Sequence, residues 1–207
     1  MAIGHLDSKK IVMIDTNGFE IILASGSPRR KAFFEEMELP FRVQVLPVKE
    51  NFPSGLDGIG IAQHIVRKKA EAFLEIIKEK QLVITADTVV WHQDKFIGKP
   101  QNKEKAKKML RSLSNSTHEV ITAVGFLQNT NWETLHEVSK VCFGPLTNTE
   151  IDAYIKTGSP LDKAGAYGIQ DPFGMRNVTF IKGSYSNIVG LPVPQVLKKI
   201  QEIISKN

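Results

Sequence analysis

The sequence predicts an α/β protein built on a mixed sheet, and three observations carry that prediction. Apolar strand-like runs alternate with amphipathic helical segments through the first 114 residues, the order that builds βαβ units and parallel pairing. The first junction, FEIILAS followed by Gly26 and SPRRK, passes from a buried strand through a glycine into a helix. Later, two long strand-like runs, HEVITAVGFLQ and WETLHEVSKVCF, flank Asn129–Thr130–Asn131, the signature of an antiparallel hairpin.

Taken in order, 19–25 reads as a buried strand and Ser27 to about Glu38 as a helix, with Ser27 as N-cap and Pro28 at the first helical position. The run FRVQVLPV at 41–48 alternates and predicts a second strand. KENFPSGLDG is a loop, and spaced apolar residues predict a long helix from about Ile59 to Lys80. QLVITADTVV at 81–90 is a buried strand interrupted by polar residues. HQDKFIGKPQN predicts turn, short strand, turn, and 103–114 a lysine-rich helix with Ala106, Met109, Leu110 and Leu113 inward. After the hairpin, Thr147 and Glu150 form a capping box for a helix to about Thr157. A long glycine-bearing stretch follows, then a strand near 177–182, a loop GSYSNIVG and a last helix after Pro192.

Composition narrows the function classes. The 207 residues are 42% hydrophobic and 24% charged, which suits one well-cored domain. The lone cysteine, Cys142, excludes a disulfide framework and lies in an apolar run that predicts a buried, inert thiol. No apolar run approaches the roughly 18–20 residues of a membrane span, and the N-terminus lacks a secretory h-region, so a cytoplasmic setting is expected. The net charge of +5, from 27 basic and 22 acidic residues, favours an anionic partner. It lacks the dense basic stripe with interleaved aromatics expected of a nucleic-acid binder. None of the five histidines has HxxxH spacing and no GxSxG elbow occurs, which argues against a histidine zinc site and an α/β-hydrolase.

Five places could carry chemistry. Arg29, Arg30 and Lys31 fall in the first turn of a helix, where the macrodipole already disfavours cations. A phosphate at the strand–glycine–helix turn would explain them; so would solvation, or pairing with Glu35 or Glu36. Asp87 is embedded in an apolar strand, where an unpaired carboxylate costs several kcal/mol; it either caps a turn with Thr88 or serves a metal or catalytic site. Lys99, held between Gly98 and Pro100, is a solvated turn lysine or a phosphate ligand. Gln170 closes a loop of small residues that admits close ligand approach, or is simply part of a structural loop. Glu50 is a carboxylate at a strand end, opening a loop. Basic groups, carboxylates and glycine-lined turns together are the components of phosphoanhydride chemistry.

ASGSPRRK, ADTVV, GKP, THEVITAV, SPLDKAGAYGIQ and GSYSNIVGLP occur in that order between about Ile21 and Lys198. Together they resemble the Maf (septum-formation-inhibitor) nucleotide pyrophosphatases. The resemblance implies an elongated, two-lobed α/β fold related to the inosine triphosphatases, with a cleft between the lobes. It implies one such domain over 19–207, preceded by an extension over 1–18, and a family that often dimerises. Asp87–Thr88 and AYGIQ match the dTTP/UTP-type members, which cleave their substrate to the monophosphate and pyrophosphate with a divalent metal, Mg²⁺ foremost and Mn²⁺ or Co²⁺ as alternatives.

Carried over by position, the resemblance gives Ser25, Arg29 and Arg30 the phosphate-binding turn, Lys99 the GKP lysine and Gln170 the loop glutamine. Asp87, Glu50 and Lys69 become the catalytic set. Asp87 and Glu50 become the metal ligands, although Lys49 stands where a second acid is frequent. Thr88 and residues 164–168 would fit a pyrimidine. The expected partner is a nucleoside triphosphate, with neither nucleic acid nor membrane. The rival expectations are a purine-directed pyrophosphatase of the inosine type and a non-catalytic cell-division regulator.

Overall fold

The computed structural model describes residues 15–206. Most of the sequence's N-terminal extension, residues 1–14, lies outside the described residues, and Asn17 docks its amide on the Ile204 carbonyl. One seven-stranded mixed sheet organises the chain, in the order β2-β1-β3-β5-β6-β7, with β4 also paired to β3. β1 (Glu20–Leu23) lies parallel to β2 (Phe41–Val43) and to β3 (Gln81–His92). β3 runs antiparallel to β4 (Lys95–Ile97) and to β5 (Thr117–Gln128), which continues through β6 (Asn131–Phe143) to β7 (Val178–Lys182).

Helices flank both faces of the sheet. α1 (Pro28–Glu36) and α7 (Val193–Ser205) cover one face, packing Phe34, Val196 and Ile200 against Leu23, Leu82 and Ile84. α2 (Gly58–Glu71) covers the other, packing Ile61, Ile65 and Val66 against Val89, Ile121 and Ala123. A third cluster joins α3 (Lys103–Leu113) and α4 (Asn148–Lys156) to Val141, Phe143 and the segment around Tyr167. Two short helices complete the chain, α5 (Pro172–Asn177) and α6 (Tyr185–Val189).

The predicted α/β class, the long hairpin and the Thr147–Glu150 capping box are all present, and four local expectations are corrected. The second strand stops at Val43 instead of 48, because β1 ends at Leu23 and, apart from the Gln44 N–H to Leu23, leaves no ladder to continue. The long helix ends at Glu71, and turns carry the chain from Phe73 to Lys80. GSYSNIVG is not a loop; Ser184 caps α6 there by accepting from the Asn187 amide. Cys142 is partly exposed, its thiol on the outer face of β6.

One topological detail creates the cleft. One edge of β3 pairs with β5 along nearly its whole length. Its other edge pairs with β1 only over Gln81–Ile84 and with β4 only over Val90–His92. Between them β1 has turned into α1 and β4 has not begun, so residues 85–89 face an opening. Asp87 and Thr88 lie in that gap.

Candidate active site

The opening leads into a cavity of about 800 Å³ lined by all nine residues singled out from the sequence: Ser25, Arg29, Arg30, Glu50, Lys69, Asp87, Thr88, Lys99 and Gln170. Its volume falls in the ordinary range for a small-molecule site. Strand alternation sends Asp87 and Thr88 to opposite faces of the sheet. Only because that edge of β3 is open can both reach one cavity.

On the α1 side, the helix starts at Pro28 as predicted, yet the Ser27 hydroxyl makes no cap bond. Instead Ser25 Oγ accepts from the Ser27 amide at 3.3 Å. The three first-turn cations separate. Lys31 pairs with Glu35 at 3.1 Å, and Arg29 reaches Asp162 across the cleft at 3.8 Å. Arg30 turns inward, donating from Nε to the Gly190 carbonyl at 2.9 Å, from Nη1 to Ser25 Oγ at 3.1 Å and from Nη2 to Thr88 Oγ1 at 3.0 Å. All three acceptors are neutral. Burial pushes the Arg30 pKa down from its usual value, and Asp87 opposes this only through space. Three of the five guanidinium N–H groups are used, and the rest are free to meet an anion in the cavity.

On the α2 side, Lys69 Nζ lies 2.8 Å from Glu50 Oε1 and 2.9 Å from Asp87 Oδ1. The Lys69 and Asp87 side chains are 18% and 16% exposed, whereas Glu50 is 53% exposed. Glu50 is partly desolvated, which alone would raise its pKa. The Lys69 hydrogen bond and charge, with Lys99 and Arg30 behind it, hold it below the usual carboxylate value instead. Lys69 sits in the last turn of α2, and Thr85 fixes that helix by donating to the Val66 carbonyl at 3.0 Å.

The far wall is the segment 159–171. Gly165 donates to the Gly98 carbonyl at 3.1 Å, tying this segment to the turn that carries Lys99. Lys99 and Gln170 are both exposed at the rim. Sequence reasoning missed the supports of this wall. Asp171 accepts from Tyr154 and from Ser159 at 2.7 Å, and Lys163 donates to the Ser159 carbonyl at 2.7 Å. Tyr154 in turn accepts from the Gly168 amide at 3.1 Å and stacks on Phe173. Asp171–Pro172 reads as a helix start in the sequence, which was the available signal, but its carboxylate braces the loop and makes no cap bond.

Beneath the same wall, His118 Nε2 lies 2.7 Å from Tyr167 Oη, and His118 Nδ1 is buried without a partner. Burial, with His92 adding a smaller repulsion, pushes the His118 pKa down from 6.5 to about 3. The unfolded chain therefore binds a proton that the fold refuses between those values. This contribution is fully present above pH 6.5 and is lost as pH falls. From pH 7 to pH 5 the protein should lose about 2 kcal/mol more stability than a His118→Gln variant. Urea unfolding at both pH values checks this; equal losses refute it.

Among the described residues no group of three His, Cys, Asp or Glu side chains could hold a metal ion. None of the helices described is long and apolar enough to cross a membrane.

Fold and site thus define an α/β protein with a deep, charge-lined cleft at the open edge of its central strand. The chain belongs to the Maf family: a family model described as Maf-like protein matches residues 20–203. It is 46% identical over 186 residues to a dTTP/UTP pyrophosphatase of Flavobacterium johnsoniae, covering 90% of this chain and 96% of that one. It is 43% identical to the dTTP/UTP pyrophosphatase of Christiangramia forsetii, over 90% of this chain and 95% of that one. The corresponding figure for that of Bacteroides thetaiotaomicron is 42%, over 89% and 96%. Among solved structures, the Staphylococcus aureus Ham1 protein matches 60% of this chain and 71% of its own, with a TM-score of 0.41 at 14% identity.

Proposed function

We propose that this protein hydrolyses dTTP and UTP to the monophosphate and pyrophosphate. One observation carries the reading: a single cleft joins a partly buried arginine with only neutral hydrogen-bond partners to a carboxylate pair clamped by one lysine. The first side calls for an anion, and the second supplies an acid–base group beside it. Relatives named dTTP/UTP pyrophosphatase, matched over nearly their full length, support the choice of substrate.

In this reading the triphosphate lies along Ser25–Arg30, with Arg29, Arg30, Lys69 and Lys99 sharing its charge. Asp87 orients a water and takes its proton as the oxygen attacks the α-phosphorus. The bond to the β-phosphate oxygen breaks, and pyrophosphate leaves with its charge held by the cations. Glu50 keeps Lys69 in place. The base faces Gln170, whose amide can both donate and accept.

Two carboxylates are too few for an all-protein cation cage, but they suit Mg²⁺, which is usually held by one or two carboxylates plus substrate phosphates. Asp87 and Glu50 are the residues that would hold it, and bound there it would neutralise charge on the phosphate oxygens. Residues 19–207 act as one catalytic domain, and the protein works in the cytoplasm, with a homodimer compatible with this reading and no nucleic acid or membrane required.

Pyrophosphate release from dTTP, UTP, CTP, GTP and ITP, with Mg²⁺, Mn²⁺ or chelator, tests this. The expected kcat/KM on dTTP and UTP exceeds that on purine nucleotides by at least about tenfold, and chelation lowers it. Preference for ITP supports the purine-directed reading. No pyrophosphate from any nucleotide supports a binding role.

A further inference from the structure

Arg30 depends on a buried hydrogen-bond chain whose proton directions can all be worked out. Thr122 and Asn187 are fully buried, and neither lines the cavity. Thr122 Oγ1 lies 2.9 Å from the Asn187 main-chain oxygen, which can only accept, so the Thr122 proton is committed there. Thr88 Oγ1 lies 2.9 Å from Thr122 Oγ1, directly across the β3–β5 ladder. Since Thr122 has no second proton, Thr88 must donate to it. The Thr88 hydroxyl is then left with lone pairs only, and one of them receives the Arg30 guanidinium at 3.0 Å.

The far end is equally constrained. The Asn187 side-chain amide donates to the Val120 carbonyl at 3.0 Å and to Ser139 Oγ at 2.8 Å. Ser139 donates onward to the Ser184 carbonyl at 3.1 Å. α6 is therefore pinned to β5 and β6, and the Asn187 carbonyl is a fixed acceptor. Next along the chain, Gly190 offers the carbonyl that receives Arg30 Nε. One motif, SNIVG, sets Arg30 twice, directly through Gly190 and indirectly through Thr122 and Thr88.

We propose that Thr122 is a positioning residue for Arg30. Its hydroxyl orients Thr88 as a pure acceptor, which fixes the guanidinium plane and aims the remaining N–H groups at phosphate oxygens in the cleft. In consequence the Thr88 hydroxyl has no proton to offer a base, and Thr88 influences substrate choice by its shape and as an acceptor alone.

The kinetic test rests on the pyrophosphatase reading. Thr122→Val should lower kcat/KM on dTTP by about tenfold, the loss of one hydrogen bond serving a charged group, while Thr122→Ser stays within about twofold. In an Arg30→Ala background the same Thr122→Val change should cost less than about twofold, because the group it positions is gone. An equal loss in both backgrounds, or a serine variant as poor as the valine one, overturns the proposal.

A second arm does not use the nucleotide. The Arg30 Nε–H resonance, assigned by its disappearance in Arg30→Lys, should exchange with solvent about tenfold faster in Thr122→Val and unchanged in Thr122→Ser. Unchanged exchange in Thr122→Val overturns the proposal whatever the turnover. Absence of pyrophosphate release by the unaltered protein overturns the enzymatic reading alone, and the resonance still decides the role of Thr122.

Discussion

Asp87→Asn is expected to lower kcat on dTTP by about a thousandfold, the scale of a lost general base. KM should change little. Asparagine preserves the shape of the side chain and can still accept from Lys69, which lies 2.9 Å away. What disappears is the charge and the capacity to take a proton. Lys69 retains Glu50 at 2.8 Å, so the lysine is not left alone in the cleft. The stability loss should stay near 1–2 kcal/mol, because the group is partly solvated at the open edge of β3. Steady-state kinetics with a parallel melting curve separates the two effects. A variant that keeps kcat within threefold of the parent removes Asp87 from the chemistry.

Gly174→Ala should produce the largest stability loss, about 3 kcal/mol or more. A Cβ at Gly174 would sit 2.3 Å from the Gly168 carbonyl oxygen and 2.8 Å from the Ile169 Cα. Both are backbone atoms, so no side-chain rotation relieves the clash. The first turn of α5 or the 168–170 segment must move, and Gln170 moves with it. A rise in KM for dTTP and weaker base discrimination should therefore accompany the lower melting temperature. Gly26→Ala is the contrast. The sequence presents Gly26 as a tight-turn glycine, yet its φ is ordinary and an added Cβ would meet only Val45 Cγ2, at 3.9 Å. Urea denaturation of Gly26→Ala should show a change within about 0.5 kcal/mol. A Gly174→Ala protein as stable as the parent refutes the close-packing account.

Much of this fold could be read locally. Capping at Thr147, the turn before Lys95 and the tight turn between β5 and β6 depend on residues within a few positions of one another. The same is true of the start of α1 at Pro28. The elements read wrongly failed for non-local reasons. FRVQVLPV alternates like a strand through residue 48, but pairing needs a partner, and β1 has already ended. GSYSNIVG reads as a loop, but its Asn187 is held by Val120 and Ser139 on two distant strands, and a helical turn forms there.

Chemical types in the site were equally visible: an aspartate in an apolar strand, arginines at a helix start, a glutamine closing a loop of small residues. These follow from composition and spacing, because the cost of burying a charge, or of stacking cations at a helix N-terminus, is a local quantity. Their partners were not visible. That Lys69 bridges Glu50 and Asp87, that Arg30 turns inward to Gly190, Ser25 and Thr88, and that Thr122 stands behind it all depend on long-range pairing. The deciding feature is the gap in the edge of β3 between its contacts with β1 and β4. Strand periodicity predicts that Asp87 and Thr88 point apart; only the unpaired edge, bounded by β1 far upstream in the sequence and by β4 just after β3, lets both face one cavity.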